Sequence, residues 1–234
     1  MTSMKTALKM TKGKCGYCFQ MISGSDIDNH ITTCIKSPYR DAPKSKKGGD
    51  VFLIGVQCAD LPLYWMFVEA KTDAALEKLD QFLRKTWLEC CGHLSRFVIN
   101  GVSYEIYRGD DDDYGEESMT MKVPMGKILG VGKVFHHEYD YGTTTYLQLK
   151  VFAMRHGTLG KPIIHVARNE PPEWKCAFCK NPATEVCGIC GLGTRTVLCQ
   201  KCLARHSCTK EEGMALPLVN SPRTGQCGYT GQRK

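Results

Sequence analysis

The sequence lacks any run of about 18 apolar residues, the length that a membrane-spanning helix requires. We therefore expect no membrane partner. We also expect no export signal, because Lys9 interrupts the apolar stretch near residue 1 within a few residues. A nucleophilic serine with a recognisable arginine cluster around it is missing too, which argues against a recombinase.

Cysteine spacing typical of a disulfide framework is absent, although 14 of the 234 residues are cysteine. Most of the cysteines stand in Cys-x-x-Cys pairs, which are typical of metal ligands. We therefore expect zinc as the cofactor and a reducing, cytoplasmic location.

The net charge of +7 is unevenly distributed. Residues 1–50 carry 9 basic and 4 acidic side chains, residues 51–170 carry 13 and 16, and residues 171–234 carry 9 and 4. Two basic ends predict anionic partners, above all nucleic acid. Three zinc ions with their ten thiolates would lower the net charge to about +3, which weakens this argument most at the C-terminal end.

The N-terminal segment carries Cys-x2-Cys followed by His-x3-Cys, a spacing that resembles the ββα zinc finger with cysteine as the last ligand. One helix face can present the last two ligands, and Ser25 or Asp26 can cap that helix. Since all four ligands come from the protein, the zinc is expected to be structural. The predicted ligands are Cys15, Cys18, His30 and Cys34.

The finger predicts either nucleic-acid binding, to DNA or RNA, or a protein-binding role. In the ββα resemblance the base-reading positions are Ser23, Asp26 and Asn29. A basic linker with Lys44, Lys46 and Lys47 follows, which favours nucleic acid, although solvated linkers often have this composition.

The C-terminal segment holds three Cys-x2-Cys pairs and a His-x-Cys pair, enough for two closed tetrahedral zinc sites. The spacing resembles B-box and MYND modules, whose cross-braced pairing would join the first Cys-x2-Cys pair with the third. A sequential pairing is the alternative, and Cys227 can replace Cys208 as the last ligand. Such modules usually bind proteins, so we expect a protein partner here. The predicted ligands are Cys176, Cys179, Cys187, Cys190, Cys199, Cys202, His206 and Cys208.

The middle of the chain predicts an α+β domain with a mostly antiparallel sheet and one long helix. Apolar runs at 51–60 and 63–70 predict strands, and helical periodicity over 72–89 predicts the helix, capped by Thr72 or Asp73. Asn100-Gly101 predicts a hairpin turn. Two small zinc-stabilised modules flank this domain.

Several polar residues of the middle domain have a structural interpretation. The loop Asp110–Asp113 is expected to be solvated rather than to bind a cation, and His136 and His137 are expected at a rim or in solvent. Cys58 predicts a buried thiol.

The stretch "TWLECCGHLSRF" places Cys90, Cys91 and His93 beside one another. A thiol enzyme using this pair of cysteines and the histidine is one hypothesis. The favoured interpretation is a structural helix-to-strand corner, in which Gly92 takes the left-handed conformation of a helix C-terminus.

The same stretch resembles the plasmid pRi ORF-three-like domain family, whose members with a zinc module have been labelled insertion-element passenger proteins. His93, Leu94 and Phe97 match its His-Leu-x-x-Phe strand, and the segment 139–142, "YDYG", matches its Tyr-Asp-Phe-Gly turn. The resemblance implies a link to mobile genetic elements but no settled activity. The family continues with Asp, Trp and His, whereas this chain has Thr143, Thr145 and Leu147, so chemistry that depends on them is not expected.

These patterns divide the chain into a finger (1–40), a linker (41–50), the α+β domain (51–168) and a two-zinc module with its tail (169–234). The favoured function is a zinc-dependent binding protein that contacts nucleic acid through the finger and linker, with the central domain as a scaffold. A protein–protein adapter without a nucleic-acid role is the main alternative. Catalytic residues are not predicted.

Overall fold

A computed structural model describes residues 10–34, 48–106, 118–190, 197–210 and 215–231. Two predicted features, the lysines of the linker and the loop Asp110–Asp113, lie outside these ranges. Within them no helix is long and apolar enough to cross a membrane.

Ten strands form one large sheet in the order β2-β1-β10-β4-β3-β9-β8-β5-β6-β7. Every neighbouring pair is antiparallel except β6 and β7, so the predicted antiparallel sheet is confirmed. The strands are β1 (Lys12–Cys15), β2 (Met21–Ser23), β3 (Gly49–Cys58), β4 (Trp65–Lys71), β5 (Ser95–Ile99), β6 (Val102–Glu105), β7 (Met119–Thr120), β8 (Val134–Tyr139), β9 (Thr145–Gly157) and β10 (Ile163–Asn169).

The middle residues of β3 and β4 are mainly apolar because both faces of these strands are covered, although β4 also buries the side chain of Glu69. Successive side chains of a strand point to opposite faces. Phe52 and Ile54 therefore enter the main core, whereas Leu53, between them, joins Phe67 in a second core on the other face. Cys58 is buried in the main core, as predicted.

The predicted long helix over 72–89 is not present, because the helices of the described residues are short. α2 (Leu76–Leu83) has eight residues and continues as a π-helical turn, Arg84–Leu88. The helix starts late because the N–H groups of Leu76 and Glu77 donate to the carbonyls of Val123 and Met121. Those acceptors replace the predicted cap at Thr72 or Asp73. The other helices are α1 (Ile27–Cys34), α3 (Met125–Ile128) and α4 (Gln200–Leu203).

The β5–β6 hairpin forms where the sequence predicts it. Asn100 and Gly101 have φ values of 54° and 79°, the left-handed pair that a two-residue hairpin turn requires.

The N-terminal finger is joined to the large sheet. Its β1 strand pairs with β10, with Gly13 opposite Asn169. Its helix α1 turns Ile27 and Ile31 into the second core, against the side chains of Trp65 and Phe67. The finger therefore covers one face of the central sheet.

His137 corrects the expectation of a rim or solvent position for both histidines of β8. His136 is exposed, but His137 is fully buried and its Nε2 lies 2.8 Å from Oδ1 of Asp80. The same carboxylate oxygen accepts a hydrogen bond from the Ser95 hydroxyl at 2.7 Å. A buried polar partner on α2 therefore explains why β8 turns this histidine inward.

The C-terminal segment forms a separate three-stranded sheet in the order β12-β11-β13 and then returns to the central domain. In the returning tail, residues 218–231, Ser221 donates to the Trp87 carbonyl at 2.6 Å, and Tyr229 is part of the main core. The strands of the small sheet are β11 (Glu185–Cys187), β12 (Val197–Leu198) and β13 (Ala215–Pro217).

Candidate metal centres

Thirteen of the 14 cysteines lie in four groups of four side chains. Three groups contain three cysteines and one histidine, and one contains four cysteines. Within each group the ligand atoms all lie within 4.8 Å of one another, so each group can hold a metal ion. The cysteine outside these groups is Cys58. The groups are Cys15, Cys18, His30 and Cys34; Cys90, Cys91, His93 and Cys227; Cys176, Cys179, Cys199 and Cys202; and Cys187, Cys190, His206 and Cys208.

The first group joins the β1 end to helix α1. Cys18 Sγ lies 3.3 Å from His30 Nε2, and Cys15 Sγ lies 4.0 Å from Cys34 Sγ. The N–H of Tyr17 donates to Cys15 Sγ at 3.4 Å, so the Cys-x2-Cys turn directs a backbone dipole at a sulfur. The four predicted ligands thus meet in one place.

The third group joins the first and last Cys-x2-Cys pairs of the C-terminal segment. Cys179 Sγ lies 3.5 Å from Cys199 Sγ, at the start of α4. Burial opposes ionisation of Cys176, but hydrogen bonds from the backbone at Cys199 and Cys179 lower its pKa to about 6. This thiol is therefore prepared to ligate as a thiolate.

The fourth group lies at the end of β11 and contains the middle Cys-x2-Cys pair of the C-terminal segment. Cys190 Sγ lies 3.2 Å from His206 Nε2 and 3.3 Å from Cys208 Sγ. Burial opposes ionisation of Cys187, but the backbone N–H at Cys190 and the His206 ring lower its pKa to about 7.

The two C-terminal groups therefore have the cross-braced arrangement. The sequential pairing would require Cys176 and Cys187 to share a group, and the structure places them in different ones. Antiparallel pairing of β11 with β12 brings the end of β12, and with it Cys199, beside the first Cys-x2-Cys pair. Cys208 occupies the last position of its group, and Cys227 lies elsewhere.

The remaining group, which we call the corner cluster, consists of Cys90, Cys91, His93 and Cys227. The sequence favours a structural corner for its first three residues and does not predict Cys227 beside them. Cys91 Sγ lies 3.1 Å from His93 Nε2, the contact that the thiol-enzyme hypothesis needs, but two more sulfurs share the space. A count of cysteines could have indicated this group. The predicted sites leave four cysteines unused, and three of those four belong to it.

Each group contains one thiol whose pKa is raised to about 12. For Cys91, Cys190 and Cys202 the main cause of the raised pKa is a hydrogen bond with a neighbouring sulfur. The partners are Cys227, Cys208 and Cys179, respectively. For Cys34 the main cause is burial, followed by the charge of Cys15. The corner cluster thus resembles the other groups: sulfurs packed this closely cannot all ionise unless a cation joins them.

The corner cluster rests on a network that joins three distant parts of the chain. Arg223, from the tail, is fully buried and forms an ion pair with Asp140. Its guanidinium also donates to the Thr143 carbonyl at 2.5 Å and to Cys90 Sγ at 3.7 Å. Burial opposes ionisation of Asp140, but the bond from Arg223 lowers its pKa to about 2, so the carboxylate stays charged.

Comparisons with known proteins leave the family open. No family model and no curated protein matches the chain. Among solved structures it is similar to a protein of unknown function, MM3350 from Methanosarcina mazei Go1, with a TM-score of 0.42 and 10% identity over 50% of this chain and 67% of that one. A likeness at that level carries no argument.

Proposed function

We propose that the protein is a zinc-dependent binding protein whose metal ions are structural. The observation that carries this proposal is the closure of the three predicted sites, each of which has four protein ligand atoms within 4.8 Å of one another. Three or four sulfurs in each site favour zinc among the available divalent ions. Four protein ligands leave no coordination position for a substrate, which favours a binding role over catalysis.

We further propose that the finger contacts nucleic acid. Asp26, directly before α1, and Asn29, within α1, are exposed, while Ser23 is half-buried. Phe19 is 68% exposed, and the Lys14 ammonium lies 5.4 Å from the centre of its ring. An exposed aromatic ring beside a cation is the combination on which unpaired bases stack.

The attachment of the finger to the sheet supports this proposal. Because β1 pairs with β10 and α1 packs on Trp65 and Phe67, the finger is oriented by the central domain. A single finger binds nucleic acid weakly, and a rigid platform lowers the entropy that is lost on binding. The basic linker that follows, residues 41–50, would add contacts to phosphates.

Fluorescence anisotropy with labelled single-stranded and duplex DNA and RNA tests the nucleic-acid proposal. We expect affinity to fall steeply between about 50 and 200 mM salt, as phosphate contacts require. Phe19→Ala should weaken single-strand binding by about tenfold, the effect of losing one stacked base. Phe178→Ala, on a C-terminal knuckle, is the matched control and should leave affinity unchanged. Salt-independent or absent binding would contradict the proposal.

The C-terminal module supports the adapter function as a second candidate. Phe178 is 64% exposed and Ile189 is 36% exposed, each within a Cys-x2-Cys turn. Apolar side chains held out by zinc knuckles are suited to binding an apolar surface of another protein. Affinity purification from the native host, with and without nuclease, separates the two functions. Protein partners that survive nuclease and are lost with Phe178→Ala would favour the adapter.

The family and location also remain proposals. We propose that the central domain belongs to the plasmid pRi ORF-three-like family, with its link to mobile elements. The meeting of the two motifs supports this, since His93 Nε2 lies 3.5 Å from Asp140 Oδ2. We propose a cytoplasmic location because metal-type groups take up nearly all the cysteines and none of the cysteines forms a disulfide.

A further inference from the structure

The corner cluster has the dimensions of a tetrahedral thiolate–imidazole site. Cys91 Sγ lies 3.7 Å from Cys90 Sγ and 3.6 Å from Cys227 Sγ. His93 Nε2 lies 3.1 Å from Cys91 Sγ and 3.2 Å from Cys227 Sγ. A zinc ion with ordinary bond lengths sets two sulfurs about 3.8 Å apart and a sulfur and a nitrogen about 3.6 Å apart.

The same separations occur in the three predicted sites. There, sulfur–nitrogen distances are 3.2 Å and 3.3 Å, and sulfur–sulfur distances run from 3.3 Å to 4.0 Å. The corner cluster also has the ligand set of two of those sites, three cysteines and one histidine. By geometry and chemistry it is their equal.

The surroundings are built to hold a thiolate at Cys90. Cys90 is buried. Its sulfur accepts a hydrogen bond from the Arg223 guanidinium at 3.7 Å and lies 3.6 Å from the Tyr139 hydroxyl. A cation and a hydroxyl beside a ligating sulfur compensate the excess negative charge of three thiolates on one divalent ion. The His93 ring packs edge-on against Tyr139, with centroids 5.7 Å apart, which fixes the orientation of the imidazole.

The backbone is shaped to deliver the two ends of the cluster. Gly92 has φ of 86°, which turns the chain between Cys91 and His93 as the sequence predicts. Cys227 has φ of 46°, in the left-handed region that side chains other than glycine seldom adopt, and it is followed by Gly228 at 64°. Strain of about 1 kcal/mol at a non-glycine residue persists only where surrounding interactions enforce it.

We propose that Cys90, Cys91, His93 and Cys227 bind a fourth zinc ion, which fastens the C-terminal tail to the helix-to-strand corner of the central domain. This site goes beyond the proposed function and does not depend on nucleic-acid binding. Unlike the other three ions, it joins residues 134 positions apart rather than neighbours in one small module. Its loss would free the tail that carries Arg223 and Tyr229 while leaving the finger and the C-terminal module intact.

Native mass spectrometry of the full chain, loaded with zinc alone under reducing conditions, measures the stoichiometry directly. We expect four zinc ions in the unchanged protein and three in Cys227→Ser. Cys58→Ser is the matched control, because Cys58 is buried but outside every group, and it should keep four. Cys227→His, which keeps a ligand atom, should also keep four, and circular dichroism checks that each variant folds.

Thiol labelling supplies a second readout that does not depend on a variant. Cys91 and Cys227 are exposed, so iodoacetamide reaches both sulfurs when no ion holds them, and labelling after chelation in denaturant gives the unprotected rate. We expect protection in the zinc-loaded protein and rapid labelling after chelation. Three ions with Cys91 and Cys227 labelled, or a disulfide between them, would overturn the proposal. Rapid labelling of Cys91 while four ions stay bound would overturn it in favour of the thiol-enzyme hypothesis. Nucleic-acid affinity should be the same in Cys227→Ser, which separates this test from that of the proposed function.

Discussion

His93 Nε2 lies 3.2 Å from Cys227 Sγ, although 134 residues separate them along the chain. The contact brings the helix-to-strand corner of the central domain together with a tail that follows the C-terminal module. Arg223 repeats the connection four residues earlier, through Asp140 and the Thr143 carbonyl. The tail therefore lies against the segment that joins β8 to β9, through Asp140 and Thr143.

Chelation of zinc should affect the modules unequally. The C-terminal module has a small core made largely of the cysteines themselves with Leu198, so we expect its fold to depend on bound metal. The central sheet has an apolar core of its own on α2 and β3. Hydrogen exchange after treatment with a strong chelator should show full loss of protection in β11 and β12. Protection of β3 and β4 should persist, and its parallel loss would contradict this assignment.

Glu69→Ala should loosen the finger from the sheet. The buried Glu69 carboxylate accepts hydrogen bonds from Tyr17 at 2.7 Å and from Arg155 at 2.8 Å and 2.6 Å. Removal would leave Arg155 without its ion pair and lower the free energy of unfolding by about 3 kcal/mol.

The matched control for this change is Glu138→Ala. It removes the partner of Arg96 in a more exposed ion pair and should cost less than about 1 kcal/mol. Chemical denaturation of both variants checks the difference, and equal costs would show that burial of Glu69 is not what matters.

Arg223 and Asp140 should be energetically coupled. Arg223→Met leaves Asp140 charged in a buried place, and Asp140→Asn leaves Arg223 without its anion, so each should destabilise by about 3 kcal/mol. A double-mutant cycle should give a coupling energy of about 2 kcal/mol. Arg223→Lys keeps the charge but loses the bonds to Thr143 and should be intermediate. Additive costs would mean that the Arg223–Asp140 ion pair does not help to hold the tail.

Gly101→Ala should destabilise the β5–β6 hairpin through its backbone. Gly101 has φ of 79° and nothing within 4 Å of an added Cβ, so only the left-handed conformation opposes the substitution. We expect a loss of about 1 kcal/mol in the free energy of unfolding. Gly130→Ala is the control, since Gly130 also has open space but no positive φ. It should be neutral or slightly stabilising, and thermal unfolding of the two variants compares them.

The apolar runs of β3 and β4 and the hairpin at Asn100-Gly101 follow from local sequence, because a continuous apolar run and turn chemistry both depend on near neighbours. The same holds for the ligand group of the finger, whose four members lie within residues 15–34. The prediction of a long helix was wrong because the start of α2 depends on the carbonyl acceptors of the distant residues Val123 and Met121. No pattern within 72–89 reveals these acceptors.

His137 and Cys227 show the same limit for polar residues. The sequence places His137 on one face of a strand, but it does not reveal that Asp80 Oδ1 lies 2.8 Å from the Nε2 of this histidine. The sequence leaves Cys227 outside the predicted metal sites and does not show which residues surround it.

By itself, therefore, the sequence determined the antiparallel sheet, the hairpin and the composition of the Cys/His group in the finger, since short-range spacing specifies each of them. Only the tertiary structure decided the cross-braced pairing, the joining of the finger to β10 and the assembly of the corner cluster. These depend on contacts between segments far apart in the chain, which form only once the central core has brought those segments together.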